Sequence, residues 1–136
     1  MANLIVSQGL QRIADTISRT SGYSVSRYIQ TLSIDDSAVA FTAGDTALNS
    51  GGAVTNEFDV AFDSTPTRSG QTVTHLATIP TGSGNFTIKR IALHDDTAAN
   101  VTSSSTTLVG GVDGQTLVKT SSFSITFTLT ILYTNV

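Results

Sequence analysis

The sequence predicts a mainly β protein: an antiparallel β-sandwich or open barrel carrying one short N-terminal α-helix. Three observations lead there. First, residues 123–133 alternate, with Phe123, Ile125, Phe127, Leu129, Ile131 and Tyr133 on one parity and Ser124, Thr126, Thr128 and Thr130 on the other. That period of two marks a strand with one buried and one solvated face. Second, about three in ten residues are Ser or Thr, while only 12% are charged. Thr suits a pleated, half-buried surface, whereas a helical bundle needs many more Glu, Lys and Arg on its outside. Third, strand signals recur roughly every 12–18 residues with Gly-rich turns between them, the spacing of a sandwich or barrel.

At 136 residues the chain is read as one domain, 1–136, with an N-terminal helix or arm over 1–20 and a β-domain over 23–136. The helical pattern spans residues 4–19: Leu10, Ile13, Ala14 and Ile17 fall at i, i+3, i+4 and i+7. Gly9 weakens its start, while Arg19 and Gly22 are stop signals. A helix of about three turns does not persist unpacked. Leu4, Ile5, Leu10, Ile13 and Ile17 are therefore the expected interface, either with the chain's own sheet or with another subunit.

The β pattern follows in order. Residues 23–34 read as a strand whose apolar parity changes between Ile29 and Leu32, suggesting a bulge or bend. Residues 35–52 read as loop, with a short strand possible over 38–41. Val54, Phe58, Val60 and Phe62 mark the next strand, and residues 63–70, with Pro66, a turn. Residues 72–79 form a third strand with Val73, Ala77 and Ile79 on one face, stopped by Pro80. Residues 86–93 form a fourth, broken in phase between Ile88 and Ile91. Residues 94–105 are a polar loop. Residues 106–109 and 116–119 flank Gly110, Gly111, Val112, Asp113 and Gly114 as a hairpin-like pair. The run 123–133 closes the pattern and is expected to be the central strand, since its apolar face needs a covering surface.

Net charge is −3 with a pI near 5.0, and the seven basic residues are scattered, which leaves no electrostatic footprint for nucleic acid. No apolar run approaches the roughly 18 residues of a membrane span. The N-terminus lacks a basic region followed by a long apolar stretch, so no signal peptide is expected. There is no cysteine, hence no disulfide and no thiolate metal site.

Catalytic and metal motifs fare poorly against ordinary structural readings. His94, Asp95, Asp96 and His75 offer metal-ligand chemistry, but their spacing fits no established ligand pattern, and a strand end entering a turn accounts for them. Asp35, Asp36 and Asp45 could attract calcium, but the ordered acidic loop with its glycine is missing. No Ser sits in a nucleophile elbow, and the Gly-Gly-Val-Asp-Gly stretch lacks the Lys-Ser/Thr end of a phosphate loop. The sequons at Asn85 and Asn100 are treated as chance without a leader. Phe58, Phe62, Phe86, Phe123 and Phe127 lie on apolar strand parities and read as core. No catalytic, cofactor or metal site is expected, and the chain is not expected to be an enzyme.

The layout also resembles a known family. Its pieces are the helix Gly9-Leu10-Gln11-Arg12-Ile13-Ala14-Asp15 and the loop end Gly44-Asp45-Thr46-Ala47-Leu48. They continue with the strand Phe86-Thr87-Ile88-Lys89-Arg90-Ile91-Ala92-Leu93 and the closing Thr/Ile/Phe run. Together these resemble small tailed-bacteriophage virion proteins, described as capsid decoration (cement) or tail-fibre-associated proteins. The resemblance implies a non-enzymatic structural protein of the virion, assembled in the host cytoplasm. It implies the major capsid protein or other virion proteins as partners, and a homo-oligomer, in the form of a trimer. Such a protein binds a lattice in many copies, and avidity makes modest interfaces strong.

Overall fold

The computed structural model describes residues 3–5, 29–64 and 66–132. They form a mainly β structure of antiparallel sheets, with no helix among the described residues. The strands are β1 (Asn3–Ile5), β2 (Thr31–Asp35), β3 (Glu57–Ala61), β4 (Thr67–Ser69), β5 (Thr72–Ile79), β6 (Thr87–Ile88), β7 (Arg90–His94), β8 (Leu108–Val112), β9 (Leu117–Val118) and β10 (Ile125–Leu132). They build a five-stranded sheet in the order β1-β8-β7-β2-β3, a three-stranded sheet β10-β5-β4, and a two-stranded ribbon β6-β9.

The main core lies between the two larger sheets. Leu32 and Ile34 of β2 cluster with Ala77 and Ile79 of β5 and Ile88 of β6, and Phe58, Val60, Phe62, Phe86, Ile91, Ile125 and Phe127 pack around them. Period-two alternation on β2, β3 and β5 delivers these side chains to one face. A smaller apolar cluster sits on the far side of the five-stranded sheet. There Phe41 and Leu48 of the segment 36–56 meet Ala92 and Leu108, with Val54 alongside.

Several expectations hold. β5 has the boundaries read from the sequence, and β10 keeps its alternation, with Ile125, Phe127, Leu129 and Ile131 half-buried and Thr126, Thr128 and Thr130 exposed. The phase break between Ile88 and Ile91 has a physical cause. At Lys89 the chain leaves the ribbon with β9 and enters the five-stranded sheet as β7. Lys89 N–H donates to the Asp35 carbonyl at 2.8 Å, and its own carbonyl accepts from Gln115 N–H at 3.0 Å.

Other expectations are corrected. Leu4 and Ile5 belong to a strand, not a helix: β1 pairs with β8, Leu4 opposite Gly111 and Ile5 opposite Gly110. These residues of the supposed arm are thus stitched into the β body. The rest of the helix expected over residues 4–19, from residue 6 on and with it Leu10, Ile13 and Ile17, lies outside the described residues. So do residues 23–28, and in the described part β2 begins only at Thr31. Residues 38–41 are loop, not strand. Between Pro66 and Gly70 a three-residue strand, β4, occupies what read as turn. The hairpin over 106–119 does not form: β8 lies between β1 and β7, and β9 pairs with β6. The closing strand β10 is not central. Among the described residues it pairs with β5 alone and forms the edge of its sheet.

Candidate functional site

The functional chemistry of the described residues is concentrated in two places: a buried polar layer and a threonine-rich sheet face.

The polar layer covers the outer side of the five-stranded sheet. Thr31, Ser33 and Asp35 of β2 share this face with Glu57 and Asp59 of β3 and Arg90 and His94 of β7, since the register sets Asp35 opposite both Glu57 and Arg90 and Ser33 opposite Asp59. Its centre is Arg90, 1% exposed beside an Asp35 that is fully buried. Arg90 Nε donates to Asp35 Oδ1 at 2.9 Å and Oδ2 at 3.1 Å, Nη1 to the Val39 carbonyl at 3.2 Å, and Nη2 to the Leu48 carbonyl at 2.7 Å. The Phe41 ring centroid lies 4.6 Å from the guanidinium carbon, close enough for a cation–π contact. Burial pushes the Asp35 carboxyl up, while Arg90 and the Ser37 N–H pull it back. One guanidinium thus fixes a strand carboxylate, two loop carbonyls and an aromatic ring, using donors set in a rigid fork.

Beside it lies a carboxyl pair at the edge of the same sheet. Ser33 Oγ donates to Asp59, and Glu57 interacts with Asp59 side chain to side chain. Burial, then the charges of Asp59 and Asp35, push Glu57 up to about 7, and burial also raises Asp59. Near neutrality Glu57 is therefore partly protonated, and its protonated form can donate to Asp59. The sign of the linkage follows. A carboxyl raised in the fold stabilises fully below its unfolded value of 4.5, and that stability is lost as pH rises through about 7. Glu57→Gln keeps a neutral donor in place. It should remove a stability loss of about 1–2 kcal/mol, allowing for solvent screening, between mildly acidic and alkaline pH. Urea denaturation at several pH values measures this, and an unchanged pH profile in the variant would refute the assignment.

Of the acidic residues singled out as possible calcium ligands, Asp35 is held by Arg90, and the other two brace separate loop segments. Asp36 Oδ1 accepts from Thr55 and Asn56 N–H at 3.3 and 3.1 Å, and Asp45 accepts from Thr42 N–H and Oγ1 at 2.9 and 2.8 Å. Asp96 Oδ1 accepts from Thr97 N–H at 2.7 Å and Asn100 Nδ2 at 3.0 Å, the turn chemistry anticipated for it. His94 and His75 stand in different sheets. His94 Nδ1 lies 3.0 Å from Thr107 Oγ1, while His75 is 5% exposed with its ring centroid 4.6 Å from that of Phe62. Burial lowers the His75 pKa, which favours the neutral ring. Among the described residues no His/Asp/Glu group is placed to hold a metal ion.

The second place is the outer face of the three-stranded sheet. The β5–β10 register pairs Thr78 with Thr126, Leu76 with Thr128, Thr74 with Thr130 and Thr72 with Leu132, and β4 adds Thr67 and Ser69. These ten residues carry no charge, but the Asp63 carboxylate reaches the face, accepting from Thr78 N–H and Oγ1 at 3.0 and 2.7 Å. Thr78 Oγ1 and Thr126 Oγ1 lie 2.9 Å apart, and Leu76 and Leu132 stand 39% and 61% exposed. The approach to β10 is fixed by Lys119, 2% exposed, whose Nζ donates to the Phe123 carbonyl at 3.0 Å and to Asn85 Oδ1 at 3.3 Å. A shallow pocket of 370 Å³ opens elsewhere, lined in part by Gln30, Phe62, Pro66, Thr97 and Ala98.

Of the residues expected at an interface, Leu4 and Ile5 lie in β1 against β8, far along the sheet order from the carboxyl pair on β3. Arg90 was missed by sequence reasoning. The available signal was the phase break before it, which puts Arg90 in register with Ala92 and His94, all three buried. No family model, curated protein or solved structure matches the chain.

Proposed function

We propose that this is a non-enzymatic structural protein of a tailed-phage virion, a capsid decoration (cement) protein bound to the head lattice in many copies. On this reading the major capsid protein is its partner and the two larger antiparallel sheets are the leaves of a β-sandwich. The observation that carries the reading is the pairing of a spent interior with a bland exterior. Arg90, Asp35, Asp36, Asp45 and Asp96 are all used to hold loops in place. The broad face of β4, β5 and β10 offers mainly hydroxyls, methyls and two leucines, with the Asp63 carboxylate bound to Thr78 as the charge that reaches it among the described residues. A surface of that kind adheres through shape and many weak contacts, which repetition on a lattice turns into strong binding. The family resemblance of the sequence points the same way.

A tail- or fibre-associated adhesin is the second reading, favoured by the pocket between Phe62, Pro66 and the loop carrying Thr97 and Ala98. Quantitative mass spectrometry of purified particles separates the two. Hundreds of copies per particle are expected for the decoration protein. A dozen or fewer, together with glycan-array binding, would establish the adhesin instead, and absence from particles would overturn both.

A further inference from the structure

We propose that β10 pairs antiparallel with β10 of a second copy, joining two three-stranded sheets into one continuous six-stranded sheet across a two-fold axis at Thr128. Edge strands are normally blunted by charge, proline, bulges or shortness. Among the described edges, β1 and β4 have three residues each, and β3 carries Glu57 and Asp59. The β10 edge has none of these devices: eight residues, Ile-Thr-Phe-Thr-Leu-Thr-Ile-Leu, with no charge, proline, glycine or register shift against β5. Its inward side chains Ile125, Phe127, Leu129 and Ile131 remain only half-buried.

The sequence of the strand fits itself. With the axis at Thr128, antiparallel pairing sets Ile125 opposite Ile131, Phe127 opposite Leu129, Thr126 opposite Thr130 and Thr128 opposite its own copy. Over residues 125–131 each apolar residue then meets an apolar one and each Thr meets a Thr, while Leu132 falls opposite Ser124 just outside the strand. A two-fold contact requires this self-complementarity, because one patch must serve both partners. The overlap supplies about six to eight backbone hydrogen bonds, whichever parity points outward. It also extends the threonine-rich face across both copies. A single strand edge is a small interface, at or below the roughly 1,200 Å² of standard complexes, so the dimer depends on concentration. The pairing rests on the strand alone and stands or falls separately from the virion reading.

The chain lacks cysteine, so single-cysteine variants of the full-length protein report the register directly. Facing residues on antiparallel strands have Cα atoms about 4.5–5.5 Å apart, within disulfide reach. Under mild oxidation Thr128→Cys is expected to give a covalent species of twice the 14.2 kDa chain mass. Thr126→Cys alone is expected to give little, and a mixture of Thr126→Cys with Thr130→Cys to give the mixed dimer. Analytical ultracentrifugation of wild type should show a monomer–dimer equilibrium that Thr128→Lys weakens at least tenfold. Thr67→Lys, a charge on the same face at the far edge, should leave it unchanged, and the circular dichroism of both variants verifies folding. A monomer at all concentrations, a trimer, or equal cross-linking of Thr126→Cys and Thr128→Cys would overturn the proposal.

Discussion

Replacing Arg90 with Leu is expected to destabilise the protein by about 3–5 kcal/mol, the cost of stranding a buried charge. Asp35 is left with the Ser37 N–H at 2.8 Å as its remaining donor among those described. The Val39 and Leu48 carbonyls lose the donors that tie the loop to the sheet, and Phe41 loses the cation beneath its ring. The loop 36–56 should therefore loosen first, and its amides should exchange faster than those of β5. Denaturant titration with hydrogen exchange reads both effects. The double variant Asp35→Leu/Arg90→Leu should recover much of the loss, since an apolar pair of fair fit can replace a buried ion pair. A loss below about 1 kcal/mol in the single variant would show that the pair is solvated and that the loop is held by other means.

The second large effect is expected at Gly111. A Cβ there would sit 2.5 Å from Phe41 Cε2 and 2.6 Å from the Ile91 carbonyl oxygen. The ring can swing aside, but the carbonyl belongs to the neighbouring strand β7 and cannot move without opening the β7–β8 ladder. Gly111→Ala should thus destabilise by about 3 kcal/mol, the upper range for forcing atoms into a packed site. Adding Phe41→Leu should relieve only part of this, because the backbone clash persists. Full rescue by that second change would place the whole conflict on the ring. Gly114→Ala, in contrast, tests left-handed backbone without crowding: φ is +68° and nothing lies within 4 Å.

These two sites show where the sequence was readable and where it was not. Local period was a sound guide: β5 and the alternation of β10 follow from residues two apart, and the break at Lys89 was visible as a slipped phase. Pairing was not readable in the same way. Gly110 and Gly111 carry turn chemistry in isolation, yet both lie inside β8, and at Gly111 the ring of Phe41, far off in sequence, takes the space a side chain would fill. β10 looked central because its apolar residues demand cover, but strand order depends on partners that no local pattern names. Arg90 has no local sign of a partner, since Asp35 is 55 positions away. β4 is too short, between Pro66 and Gly70, for alternation to register. The residues expected at an interface drew on helical spacing, and Leu4 and Ile5 instead pair with β8 because an extended segment can satisfy a sheet edge that a helix cannot.

The corner at Lys89 has a mechanical meaning. A covalent chain passes there from ribbon to sheet, with its N–H anchored on β2 and its carbonyl held from the segment before β9. Pulling the ribbon away from the five-stranded sheet would have to break that stitch and drag Ile88 out of the main core. Ribbon and five-stranded sheet are therefore riveted together, and strain applied to one is handed to the other at Lys89.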